Sequence, residues 1–151
     1  MSPNSILFKS FSKVNLGLKI LDLLPDNYHS IFTIMQEIDL HDTIHFQKNL
    51  EKKINFTTDG TIIVPNDKTN LCYKAAKLIF ENYTISSGIN VHLTKNIPIG
   101  AGLGGGSSNA ATVLLALNDI FNLKIKNREL ELLAMELGCD VPFFINGGTQ
   151  I

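Results

Sequence analysis

Five glycines occupy seven positions of the stretch at 98–111, PIGAGLGGGSSNAA, and two serines, an asparagine and a pair of alanines follow them. Glycine gives up more backbone entropy on folding than any other residue, so a cluster of it serves positive φ angles or close approach of main chain to something else. Here the cluster lies between an alternating stretch, GINVHLTKN, and a run of helix formers, SSNAATVLLALNDIF. A helix start carries unpaired N–H groups and a partial positive charge, which together attract an anion. The pattern predicts a phosphate cradle made of Pro98, Ile99, Gly100, Ala101, Gly102, Leu103, Gly104, Gly105, Gly106, Ser107 and Ser108. Gly100, Gly102 and Gly105 satisfy G-x-G-x-x-G, but a second helical pattern follows the first with no strand between, which argues against a dinucleotide fold. No Gly-Lys-Ser/Thr follows the glycines, which excludes a P-loop.

Other residues have side chains fit for chemistry as well as for ordinary structural work. Lys13 and Asn15 fall on the polar side of the alternation SKVNLGLKI, opposite Val14, Leu16, Leu18 and Ile20. A lysine there is ordinarily solvated. Asp140 lies two residues before Pro142, where an aspartate ordinarily caps or turns. Tyr28 and His29 lie in the turn LPDNYH, where an aromatic ring can stack on a base and an imidazole can bond its edge, or both can pack at a strand start. His41 and His45 read as surface residues, and KNLEKKINF as a solvated turn.

The elements that must position these groups come from the periodicity. Residues 13–20 form a half-buried strand; 31–40 and 43–46 form two more, split by His41 and Asp42. INFTT and TIIV flank Asp59-Gly60, a hairpin signal. TNLCYKAAKLIFENY reads as a helix capped by Thr69 or Asn70, with Leu71, Ala75, Leu78 and Ile79 on its apolar stripe. The strand at 88–95 puts Ile89, Val91 and Leu93 inward. Ser107 or Ser108 should cap the helix after the glycines, and Asn127 a further helix that stops at Gly138. The last segment, CDVPFFINGGTQI, reads as a loop and a strand start. Strands, helix, strand, helix, helix is an α+β order.

The 151 residues suffice for one domain, and 44% hydrophobic and 18% charged residues are ordinary for a globular chain. A net charge of −1 points away from nucleic acid and anionic membranes as partners. No apolar run is long enough to span a bilayer and no signal peptide is read. Cys72 and Cys139, far apart and outside any CxxC, suit two free thiols in a reducing cytoplasm.

Taken together, the motifs resemble those of the GHMP small-molecule kinases. The signature Pro-x-x-x-Gly-Leu-Gly-Ser-Ser-Ala-Ala is matched by Pro98, Gly102, Leu103, Gly104, Ser107, Ser108, Ala110 and Ala111, shifted by the extra Gly105 and Gly106. SKVNLGLKI resembles AKLNLxL, PDNYHSIFTIMQEIDLHDTI resembles PDGYHxLxTxxxxxDLxD, and LGCDVPFFINGG resembles LGADVPFFxxGG. The triple glycine with SSNAAT narrows the resemblance to the branch acting on 4-diphosphocytidyl-2-C-methyl-D-erythritol; the other segments agree, and the similarity runs from about Phe11 to Gly148. Asn27 stands for the usual glycine of DGYH, and Cys139 for the usual alanine.

The resemblance implies a GHMP-kinase N-terminal domain over residues 1–151, with a mixed sheet against helices and a C-terminal domain beyond this chain. It implies transfer of the γ-phosphate of ATP, with Mg²⁺ delivered by ATP and no dedicated metal site, to the substrate's 2-hydroxyl in non-mevalonate isoprenoid synthesis. Asp140 is then the base, Lys13 its cationic partner, and Asn15 a substrate contact. Tyr28 and His29 face the cytosine end of a cytidine diphosphate-linked substrate. Asn70, Lys95 and Asn109 attend the nucleotide, with Lys95 adding positive charge near the phosphates. Another kinase of the superfamily, or a nucleotide-binding module without catalysis, are the alternatives.

Overall fold

The computed structural model describes residues 5–23 and 29–151. Among these the strands are β1 (Ile6–Leu23), β2 (His29–Asn49), β3 (Ile54–Gly60), β4 (Gly88–Lys95) and β5 (Thr149–Gln150). The helices are α1 (Leu71–Asn82), α2 (Gly105–Ile120), α3 (Asn127–Leu137) and α4 (Phe143–Asn146). The sheet runs β1-β2-β4-β3, with β5 pairing to β2 beyond the end of β4. Three pairings are antiparallel and β3 lies parallel to β4. The expected α+β class with a mixed sheet is therefore what forms.

Period-2 alternation puts Ile89, Val91 and Leu93 of β4, with Ile44 and Phe46 of β2, on the face that the helices cover. α2 lies at the centre of the helical layer, where Ala110, Ala111 and Ala116 allow close approach and Val113, Leu114 and Leu117 fill the space. α1 brings Ala75 and Ile79, and α3 brings Leu130 and Ala134. The opposite face of β3 and β4 is polar, with Asn55 and Asn90 bonded at 3.0 Å.

Several expectations change. The segments 31–40 and 43–46 are one strand: Phe11 pairs His41 and Ser12 pairs Ile38, so Asp39 and Leu40 are a bulge, and Asp42 continues the inward series with Ile44 and Phe46. Asp59-Gly60 makes no hairpin. Gly60, at φ 110, ends β3 against β4, where an added Cβ would lie 2.3 Å from the Lys95 carbonyl oxygen. The chain then crosses over through α1, which is what parallel pairing requires. α2 is capped neither by Ser107 nor by Ser108 but by Gly104 at φ 67, because the glycines themselves turn into the helix. α3 begins at Asn127, so Lys126 holds the cap position, and Asn127 Nδ2 donates to Asn146 Oδ1 at 3.0 Å. Asn70 does cap α1, through Cys72 N–H at 2.9 Å. The stripe of α1 is rotated: Cys72, Ala75, Ala76 and Ile79 are buried, and Leu71 and Leu78 only partly. The segment after Asp140 contains the short helix α4, formed by burying Phe143, Phe144 and Ile145.

β1 also presents its sides unexpectedly. Lys13 is 6% exposed whereas Leu16 is 65% exposed. The polar side of this strand faces the tip of α2, to which Lys13 N–H is tied through the Leu103 carbonyl at 2.9 Å.

Two predictions follow from burial. The Cys72 thiol is buried and pushed up to about 12 by desolvation, while Cys139 is exposed. A thiol reagent under native conditions should label Cys139 quickly and Cys72 only on unfolding, as read by mass spectrometry. Burial also raises the Glu37 carboxyl above its ordinary 4.5, against the opposing Gly148 N–H. The folded chain then holds this proton to higher pH than the unfolded chain, so stability falls as pH rises past the ordinary value. Glu37→Gln should melt higher than the parent, by a margin that grows from pH 4 to pH 7.

Candidate active site

Three left-handed glycines shape the loop that leads into α2: Gly100 at φ 71, Gly102 at φ 73 and Gly104 at φ 67. The first helical bond runs from Ser108 N–H to the Gly104 carbonyl at 2.8 Å. The N–H groups of Gly105, Gly106 and Ser107 therefore precede the ladder, and a glycine cap has no side chain to take them. They open on a cleft of about 450 Å³, walled by Val64, Pro65, Asn70 and Leu71 opposite the loop. This combination of orphan amides and helix polarity suits a phosphate.

Thirteen of the expected residues line this cleft: Pro98, Ile99, Gly100, Ala101, Gly102, Leu103, Gly104, Gly105, Gly106, Ser107, Asn70, Lys95 and Asn109. Ser108 does not. It is buried, and its hydroxyl bonds Ser10 Oγ at 2.8 Å on the sheet side of α2. Asn70 holds the cleft wall, with its Nδ2 donating to the Pro65 carbonyl at 2.9 Å. Asn109 Nδ2 donates to Ser10 Oγ and to Asp42 Oδ2, each at 2.8 Å. Lys95 is 3% exposed and its ammonium is bonded to Asp42. It therefore brings a neutralised pair below the loop rather than added positive charge.

Lys13 and Asp140 meet beside the tip of α2. Lys13 Nζ lies 3.5 Å from Asp140 Oδ2, with the lysine side chain 7% and the aspartate side chain 41% exposed. A Cβ on Gly104 would lie 3.2 Å from Lys13 Cγ, so the lysine stem lies directly against the cradle. Lys13 Nζ donates to Asn15 Oδ1 at 2.6 Å, Asn15 Nδ2 donates to Thr33 Oγ1 at 2.7 Å, and Thr33 donates to the Gly17 carbonyl at 2.7 Å. Each donor orients the next, so Asn15 must offer its oxygen to the lysine. The ammonium is thus held by two acceptors, and the half-exposed carboxylate presents an oxygen that solvent can reach. His29 opens β2 opposite Leu23. Tyr28 lies outside the described residues.

Asp42, Ser10 and Thr33 carry this geometry and were not anticipated. The signal for Asp42 was present: it shares a two-residue period with Ile44 and Phe46, which marks it as inward, and it closes the DLHD motif.

A profile of the GHMP kinases N-terminal domain matches residues 70–148. The chain belongs to the GHMP kinase family. Among GHMP kinases, it is 47% identical over 146 residues to 4-diphosphocytidyl-2-C-methyl-D-erythritol kinase of Clostridium botulinum (strain Loch Maree / Type A3), covering 97% of this chain and 51% of the relative. The enzyme of that name from Clostridium beijerinckii is 45% identical over 143 residues, covering 95% and 50%. The chain spans about half the length of the curated relatives it matches. A crystal structure of 4-(cytidine 5'-diphospho)-2C-methyl-D-erythritol kinase superimposes with a TM-score of 0.78 at 36% identity, over 93% of this chain and 49% of the other. Methanococcus jannaschii mevalonate kinase shares the GHMP fold, with a TM-score of 0.71 at 19% identity over 99% and 53%.

The glycine geometry predicts graded sensitivity. At Gly102 an added Cβ meets open space, so Gly102→Ala suffers only the positive φ, about 1 kcal/mol. At Gly104 the Cβ would also lie 2.8 Å from Phe144 Cζ, so Gly104→Ala should destabilise more than Gly102→Ala. Paired urea melts of the two variants check the order.

Proposed function

We propose that this chain is the ATP-binding, N-terminal part of a kinase that phosphorylates the 2-hydroxyl of 4-diphosphocytidyl-2-C-methyl-D-erythritol in non-mevalonate isoprenoid synthesis. The observation that carries the reading is the Lys13–Asp140 pair, 3.5 Å apart, beside the uncapped start of α2. The names of the relatives at 45–47% identity support the choice of substrate.

The chemistry asks a protein chiefly for positioning and charge stabilisation. The cradle amides hold the ATP phosphates. Asp140 takes the proton of the substrate hydroxyl as that oxygen bonds to the γ-phosphorus, and the bond to the β-phosphate oxygen breaks to release ADP. Lys13 stabilises the negative charge that develops on the attacking oxygen and pairs with the Asp140 carboxylate. Asn15 fixes the lysine and faces the same substrate. Tyr28 and His29 are assigned to the cytosine, on the resemblance of PDNYH alone. Mg²⁺ is assigned to arrive with ATP, on the resemblance alone; among the described residues no three or more His, Cys, Asp or Glu side chains group as metal ligands. Among the described residues no helix is long and apolar enough to cross a membrane. The half that the relatives have beyond this chain is assigned to completing the substrate cleft.

Transfer of labelled phosphate from ATP, measured in the full-length protein, tests the roles. Asp140→Asn should lower turnover by roughly 10²–10⁴-fold, the usual worth of a positioned base, with ATP affinity within a few-fold of the parent. Lys13→Ala should lower turnover comparably. Unchanged turnover in both variants refutes the assignment. Competition by cytidine diphosphate against the alcohol substrate, but not against ATP, is expected; no effect of cytidine diphosphate would favour a different alcohol.

A further inference from the structure

Asp42 takes no part in the chemistry assigned above, yet it is fully buried and four donors converge on it. The Lys95 ammonium and Asn109 Nδ2 reach Oδ2; the N–H groups of Asn96 and Ile97 reach Oδ1 at 2.6 and 2.8 Å. These donors bracket the glycine loop. Asn96 and Ile97 lead into it, and Asn109 lies in α2 just after it. Between the anchors run three glycines in the left-handed region. The first turn of α2 rests on the same group of residues: a Cβ on Gly105 would lie 2.8 Å from Lys95 Nζ and 2.8 Å from Ile97 Cγ2.

We propose that Asp42 is a positioning residue for the phosphate cradle, holding Lys95 and the loop's entry amides so that the tip of α2 presents its N–H groups in one place. This deepens the kinase reading and rests on it. Glycines provide no side-chain packing to hold the loop, and its position is set by what grips its ends. A fully buried carboxylate with four charge-assisted or amide donors is a rigid grip. The ion pair neutralises itself, so the cradle's attraction for phosphate comes from oriented amides, and Lys95 acts as a strut beneath them.

A positioning role differs from a general structural one in which part of the nucleotide it affects. ADP and adenosine are titrated calorimetrically into full-length parent protein, Asp42→Asn, and the double variant Asp42→Asn with Lys95→Met. The double variant leaves no buried charge unpaired, a replacement that folded proteins often tolerate well. ADP should bind about tenfold more weakly to both variants, and adenosine, which has no phosphate, within twofold of the parent. Equal weakening of ADP and adenosine, or ADP binding unchanged in both variants, overturns the proposal. If melting curves show Asp42→Asn unfolded, the double variant decides by the same criteria. A parent protein that binds no ADP overturns the nucleotide reading and this proposal with it, an outcome distinct from a variant effect.

Discussion

The structure is organised around a helix start that nothing in its own sequence quenches. Ordinarily a serine, threonine or aspartate closes the first turn of a helix and satisfies its amides. Here Gly104 holds that place at φ 67, and Ser107 and Ser108, the residues fit to cap, lie inside the first turn. The orphan amides are set in the wall of a cleft. An anion arriving there meets donors already oriented, so little reorganisation opposes binding.

Much of the surrounding architecture secures this tip. Ser10 on β1 bonds both Ser108 and Asn109, and so ties α2 to the sheet from below. Asp42 on β2 grips the loop's entry. Leu103 returns its carbonyl to Lys13 N–H, which joins the loop to β1. That last bond joins the glycine loop to the proposed catalytic pair, because the strand residue it fixes is also the one whose ammonium approaches Asp140. The length of β1 matters too, since one strand supplies Ser10 beneath α2 and Asn15 beside the lysine.

Part of this was legible residue by residue. The glycine run, flanked by an alternating segment and a helical one, announced a loop that opens a helix, and the loop lies there between β4 and α2. Asn70 was recognisable as a cap. The alternation of Ile89, Val91 and Leu93 placed β4 with the right face inward. Other readings failed for definite reasons. Asp59-Gly60 looks like a turn to any local rule, but its glycine serves close approach to Lys95 on a parallel neighbour. His41 and Asp42 look like a break between strands, and a bulge at Asp39 and Leu40 instead carries the strand through them. Asn127 is a good cap by type, yet the helix takes it as its first residue, after Lys126, and its Nδ2 donates to Asn146 Oδ1.

The sequence by itself determined most of the helices and strands and the glycine loop between β4 and α2, because hydrophobic period, glycine clustering and capping chemistry act over a few neighbouring residues. Only the tertiary structure decided which polar groups are buried and with whom. Lys13 and Asp140 are separated by most of the chain, and Asp42 and Lys95 come from different strands. Burying a charge is tolerable only when a partner arrives from elsewhere in the fold. The partner's identity is a property of how strands and helices assemble, which no short stretch of residues contains.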